Sequence, residues 1–289
     1  VSQVEANGMV LEYEVSGDPS DPPLVLVMGL GAQLIAWPDE FCAMLAARGF
    51  YVVRYDNRDA GLSTAFDGIT PDVMALLAGE PTSVPYRIED MADDAAGLIS
   101  ALGLRPAHVV GASMGGMIVQ ALAIRHPEAV RSVCSIMSTT GDPSVGAPTD
   151  AAVSALLVPP ATSRDEAIEQ SVAASRAIAG TGFAFPEDQI RVRAALAHDR
   201  SYRPEGMLRQ LAAILASPDR TEGLHGVRVP FLVIHGTTDP LVTPSGGEAT
   251  AAAVPGAELM MVTGMGHDLP VPVWGDLVAA IAANAAKAP

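Results

Sequence analysis

Basic residues are scarce in this chain of 289 residues: 17 Lys and Arg stand against 33 Asp and Glu, a formal net charge of −16. A surface of that sign is repelled by nucleic acid and by an anionic membrane face, and it disfavours polyanionic substrates. Cysteine is nearly absent, with only Cys42 and Cys134. Each lies inside an apolar run, so buried free thiols are expected, and neither a disulfide framework nor a metal-ligand spacing is visible. Long apolar runs are missing as well; Leu24 to Leu30 has the length of a strand, not of a membrane span. The polar start, Val1 to Gly8, does not read as a signal peptide. A cytoplasmic location is therefore expected, with no membrane and no nucleic-acid partner. No repeat or low-complexity tract is present. What remains is 49% hydrophobic and 17% charged, enough for one α/β domain with or without an insertion.

Strand and helix patterns alternate along most of the chain. Val4 to Val15 reads as a hairpin turning at Asn7-Gly8. Leu24–Met28, Tyr51–Tyr55, Val130–Met137 and Val229–His235 are apolar runs of the kind buried on both faces of a parallel sheet. Glu258–Val262 is a further strand. Helical periodicity covers Pro38–Arg48, Ile88–Leu102, Gly246–Val254 and Val273–Ala286. Ile69 to Pro85 is an irregular insert. From Ser138 to Leu224 no buried-strand run occurs, only helical patterns broken by Pro and Gly. The expected architecture is a mostly parallel sheet with helices on both faces, formed by residues 1–137 and 225–289, with residues 138–224 inserted as a helical cap.

The segment His108 to Met117 carries the strongest chemical signal. An apolar strand runs into Gly111-Ala112-Ser113-Met114-Gly115 and on into an apolar helix. A strand that reverses sharply into a helix strains the serine backbone, lifts its hydroxyl clear and leaves the next N–H free at a helix start. Ser113 is thus the candidate nucleophile. It needs a neutral base, and the base needs an orienting carboxylate. Of six histidines, His267 stands just after a strand in Gly264-Met265-Gly266-His267-Asp268, a loop able to deliver a side chain over the sheet edge. His108 and His126 read as structural, His235 as a buried hydrogen-bonded residue and a weaker base candidate, and His198 as a residue able to touch substrate. Asp239, at the end of Phe231–His235 and before Pro240, is the candidate acid, and Asp268 its rival. The order Ser, Asp, His along the chain is the hydrolase order.

An oxyanion also needs donors. The Met114 N–H is one candidate and the Leu30 N–H, in the Gly29-Leu30-Gly31 turn, the other. Gly29, Trp37, Leu76, Leu157 and Phe183 are expected beside the substrate, and Asp56 and Arg58 are expected to form an ion pair bracing the loops.

With these residues in place, the chain resembles the α/β-hydrolase superfamily over nearly its whole length. More narrowly it resembles actinobacterial carboxylesterases of the aclacinomycin methylesterase group. The features shared are Met28-Gly29 in the oxyanion loop, Trp37-Pro38 followed by Phe41, Tyr55-Asp56 with Arg58-Asp59, and Gly264-Met265-Gly266-His267. The wider superfamily has His-Gly where this chain has Met28-Gly29, and Arg-Gly where it has Arg58-Asp59. A dehalogenase would carry Asp at position 113. The resemblance implies cofactor-free hydrolysis of a small-molecule ester through an acyl-enzyme; no metal is expected, and the chain is expected to be a monomer or a homodimer. The apolar residues of the cap and the insert suggest small to medium apolar or aromatic esters. A thioesterase, a lactonase, a carbon–carbon bond hydrolase or a non-catalytic receptor on the same fold are the alternatives.

Overall fold

The computed structural model describes residues 2–80 and 82–289. Its centre is an eight-stranded sheet made of β1 (Ser2–Ala6), β2 (Met9–Ser16), β3 (Pro23–Val27), β4 (Tyr51–Tyr55), β5 (Ala107–Ala112), β6 (Val130–Ile136), β7 (Phe231–Gly236) and β8 (Glu258–Val262). The spatial order is β1-β2-β4-β3-β5-β6-β7-β8. The first hairpin pairs antiparallel, β2 joins β4 antiparallel, and every later pair is parallel.

Alternation along the strands sorts side chains into two cores. Val25 and Val27 of β3 join one cluster with Val109; Leu24 and Leu26 join the other with Val110 and Ala112. The first cluster is covered by α3 (Ile88–Ala101), α4 (Met114–Arg125) and the end of α10 (Pro244–Ala253). The second lies under α1 (Asp39–Ala46) and α11 (Trp274–Ala285), where Phe41 meets the Trp274 ring edge-on at 5.7 Å. Strands buried on both faces need apolar residues at every position, which explains their continuous apolar runs.

The insert 69–85 holds one short helix, α2 (Val73–Leu77); Pro81 of that insert and Val1 lie outside the described residues. Between β6 and β7 come α5 (Asp150–Leu156), α6 (Arg164–Ile178), α7 (Glu187–Arg200), α8 (Pro204–Ala216) and the short α9 (Thr221–Leu224). Local chemistry starts two of them: the Thr149 and Ser163 hydroxyls accept the N–H groups of Ala152 and Glu166. Among the described residues no helix is long and apolar enough to cross a membrane.

The chain leaves β3 toward β4 on one side and returns to place β5 on the other. Such a reversal opens a crevice at the carboxyl ends of adjacent strands. The loops after β3 and β5 meet there.

Candidate active site

Ser113 is the single residue between β5 and α4, with φ 57° and ψ −120°. That conformation is costly for a residue with a Cβ and persists only where its surroundings impose it. Here they do. The Ser113 N–H donates to the Ile136 carbonyl at 2.9 Å, and the Ser138 hydroxyl donates to the Ser113 carbonyl at 2.8 Å. A Cβ on Gly111 would collide with the Gly115 carbonyl, and one on Gly115 with the Val27 carbonyl. The two glycines of the motif are therefore demanded by close backbone approach.

The structure brings Ser113, His267 and Asp239 together. Ser113 Oγ lies 2.8 Å from His267 Nε2, and His267 Nδ1 lies 2.8 Å from Asp239 Oδ2. Asp239 is 3% exposed and His267 is 7% exposed. The other Asp239 oxygen accepts the N–H groups of Leu241 and Val242, each at 2.9 Å. With Asp239 ionised, His267 Nδ1 is the donor, and Nε2 is left to accept the serine proton. Asp268 does not reach the histidine ring; its carboxylate accepts the Gly266 N–H at 3.0 Å, and burial raises its pKa.

On the other side of Ser113 lies the turn after β3. A Cβ on Gly29 would stand 3.0 Å from Ser113 Cβ and 3.4 Å from its Oγ. Among the described residues, neither the Leu30 N–H nor the Met114 N–H donates to a protein acceptor. Amides without a protein acceptor, beside a serine that contacts a histidine, are the kind of donor that acyl transfer uses when negative charge develops on oxygen.

Several residues depart from expectation. Asp56 and Arg58 do not pair. Asp56 accepts the Leu34 and Leu62 N–H groups and faces Arg200 of α7 at 2.7 Å; burial raises its pKa, against those bonds. Arg58 instead makes a bidentate pair with Asp94 of α3, at 2.6 and 2.7 Å, and lies over the Tyr86 ring. Each buried charge finds its counter-ion on a distant helix. Trp37, expected beside substrate, is fully buried and stacked on Phe41 at 5.6 Å. The 3-10 turn Leu34–Ala36 aims it into the core beneath the site. Phe183 is partly buried against the cluster holding Met265. Leu76 is half-buried on α2, and Leu157, at the end of α5, is 38% exposed.

The other histidines stay away from the serine. His235 is fully buried, donates from Nε2 to the Val242 carbonyl at 2.7 Å, and is held below its usual pKa by burial. His108 contacts the Ser132 hydroxyl, His126 contacts Asp93, and His198 lies against the Tyr202 ring, tilted by 30° at 4.9 Å.

Residues that sequence reasoning missed tie the helical insertion to both loops of the site. Gln33 donates to the carbonyls of Ala197 and Ser201, and its Oε1 accepts from Arg200. At the histidine loop, the His267 N–H donates to the Ile178 carbonyl at 2.8 Å and the Gly182 N–H donates to the Gly264 carbonyl at 2.9 Å. The Gly-Thr-Gly run at 180–182 was the only sequence signal for that second contact.

The family model described as alpha/beta hydrolase fold matches residues 22–271. Rhodomycin D methylesterase of Streptomyces sp. (strain C5) is 33% identical over 96% of this chain and 95% of its own length. The rhodomycin D methylesterase of Streptomyces peucetius is also 33% identical, with the same coverage. Among solved structures, the enol-lactonase from Burkholderia xenovorans LB400 superposes with a TM-score of 0.75 at 28% identity, covering 99% of this chain and 100% of that one.

Proposed function

This chain belongs to the α/β-hydrolase fold family and is an ester hydrolase, and we propose that it works as a serine enzyme, through an acyl-enzyme, on small alkyl esters whose acid half is apolar or aromatic. The observation that carries the reading is the unbroken hydrogen-bonded chain from Ser113 through His267 to Asp239; the Leu30 and Met114 N–H groups, which have no protein acceptor among the described residues, support it.

In this mechanism Ser113 Oγ attacks the ester carbonyl while His267 Nε2 takes its proton. Asp239 keeps His267 in the tautomer that can accept. The oxyanion forms against the Leu30 and Met114 N–H groups, and in comparable sites losing one such donor costs about 3–4 kcal/mol of barrier. The tetrahedral centre collapses, the alcohol leaves with the proton from His267, and a water repeats the sequence to release the acid. Every proton passes through His267, so no cofactor is required.

Segment 138–224 acts as a cap over this centre, supported by its bonds to the loops carrying Leu30 and His267. Exposed apolar side chains on the cap and on the 69–85 insert, among them Met74, Leu77 and Leu157, support an apolar acid half. The methyl ester for which the two Streptomyces relatives are named, rhodomycin D, is the first substrate to test. A lactone is the second reading, favoured by the full-length likeness to the enol-lactonase.

The test compares wild type with Ser113→Ala on rhodomycin D, an enol-lactone and p-nitrophenyl esters from acetate to long acyl chains. Steady turnover by wild type that vanishes in the variant is expected. Turnover retained by Ser113→Ala would end the serine reading, and turnover of the lactone alone would move the substrate to the second reading.

A further inference from the structure

We propose that Gln210, on α8 of the cap, is a positioning residue for the oxyanion hole, making the hole a joint product of core and cap; this rests on the serine-hydrolase reading above. Gln210 is completely buried. Its Oε1 accepts the Gly31 N–H at 2.7 Å, and its Nε2 donates to the Arg58 carbonyl at 2.7 Å. One side-chain amide thus grips the main chain of two loops at once, the loop after β3 and the loop after β4.

The turn it grips is the one that presents the Leu30 N–H. Gly29 to Ala32 form that turn, closed by the Ala32 N–H donating to the Gly29 carbonyl at 3.2 Å. Gly31 has φ +66°. A positive φ at the third position is the type II arrangement, which differs from type I in the orientation of its central peptide. The Gly31 N–H belongs to that central peptide, which is hinged to the Leu30 N–H at one Cα. The Ala32 bond holds the first peptide of the turn and Gln210 holds the second, so the Leu30 N–H has no free swing. Preorganisation of this kind separates a donor aimed at a developing oxyanion from one that must reorient during reaction.

Gln210 is itself held. Its neighbour Arg209 makes a bidentate pair with Asp59 at 2.9 and 2.8 Å, and Met207 packs against Gly31. The helix that aims the amide is locked to the loop next to the one it steers.

The experiment measures kcat and KM for p-nitrophenyl butyrate, with inhibition by an alkyl trifluoromethyl ketone, whose serine adduct places an anionic oxygen in the hole. Wild type, Gln210→Met, Gln210→Glu and Ser113→Ala are compared. Met fills the volume with neither acceptor nor donor; Glu, held neutral by full burial, keeps an acceptor for the Gly31 N–H and an O–H donor for the Arg58 carbonyl. For Gln210→Met, kcat falls at least tenfold, KM stays within twofold and the ketone Ki rises at least tenfold. Gln210→Glu recovers kcat to within threefold of wild type. If Gln210→Met does not fold, Gln210→Asn, one methylene too short to span both loops, carries the same expectations. Unchanged kcat in the Met or Asn variant overturns the proposal, as does a loss shared equally by kcat and KM, or a Glu variant as impaired as Met. Turnover retained by Ser113→Ala overturns the serine reading instead.

Discussion

Gly180, between α6 and α7, lies against Gly266 of the histidine loop so closely that a Cβ on either residue would collide with the backbone of the other. The next residue, His267, donates its N–H to the Ile178 carbonyl at 2.8 Å. The main chain around Gly180 is therefore the surface on which the histidine loop rests. Replacing Gly180 with Ala pushes that loop away and lengthens the His267 Nε2 to Ser113 Oγ contact. A displacement of about 1 Å at reacting groups can cost about 100-fold. Gly180→Ala is expected to lower kcat by roughly 10- to 100-fold with circular dichroism unchanged. Wild-type kcat in a folded variant would show that the loop holds itself.

Why some of this was legible in sequence and some not follows from distance along the chain. Ser113 announced itself because the elbow needs Gly111 and Gly115 within two residues on each side, a local demand that leaves a local pattern. His267 and Asp239 each follow a strand, and strand ends are readable from apolar runs. Asp56 and Arg58 misled because adjacency in sequence suggested pairing; their partners, Arg200 and Asp94, lie 144 and 36 residues on. Trp37 misled in the same way, since nearness to the oxyanion turn does not reveal that a 3-10 turn rotates it inward. Gln210 left no trace, because a buried glutamine bonded to two main-chain groups needs no neighbouring motif.

Asp239→Asn tests the orienting acid. One Asp239 oxygen accepts two backbone N–H groups and the other accepts from His267. An Asn settles with its oxygen toward the two amides and its NH2 toward His267 Nδ1. That nitrogen must then accept, which moves the ring proton to Nε2, where it can no longer take the serine proton. The expected fall in kcat at neutral pH is about 10⁴-fold. Steady-state rates check it; a loss below tenfold would remove Asp239 from the role.

Arg209 carries stability rather than chemistry. It is 1% exposed, and its Asp59 partner is equally buried and also accepts the Tyr86 hydroxyl at 2.6 Å. Taking away one side of a buried ion pair strands the other charge, at a cost of about 3–5 kcal/mol. Arg209→Met is expected to lose that much in urea unfolding, and adding Asp59→Asn should restore part of it. A double variant no more stable than the single one would mean the stranded charge is not the cause.

His108 makes stability depend on pH. It is 4% exposed beside the Ser132 hydroxyl and the Phe50 ring. Burial, and then the charge of Arg131, lower its pKa from 6.5 to about 4. Between those values the unfolded chain binds a proton that the folded chain refuses, so stability falls as pH drops below 6.5 and the loss levels off near 4. At pH 5 one such group costs about 2 kcal/mol relative to pH 7 or above. His235 is shifted in the same direction by burial, and it contributes equally to wild type and to a variant at position 108. The difference between them therefore isolates His108. His108→Asn, which keeps a polar atom near Ser132, is expected to lose about 2 kcal/mol less than wild type between pH 7 and pH 5, read from urea midpoints at the two values. Equal losses in both proteins would show that the ring is charged in the fold or that another group sets the slope.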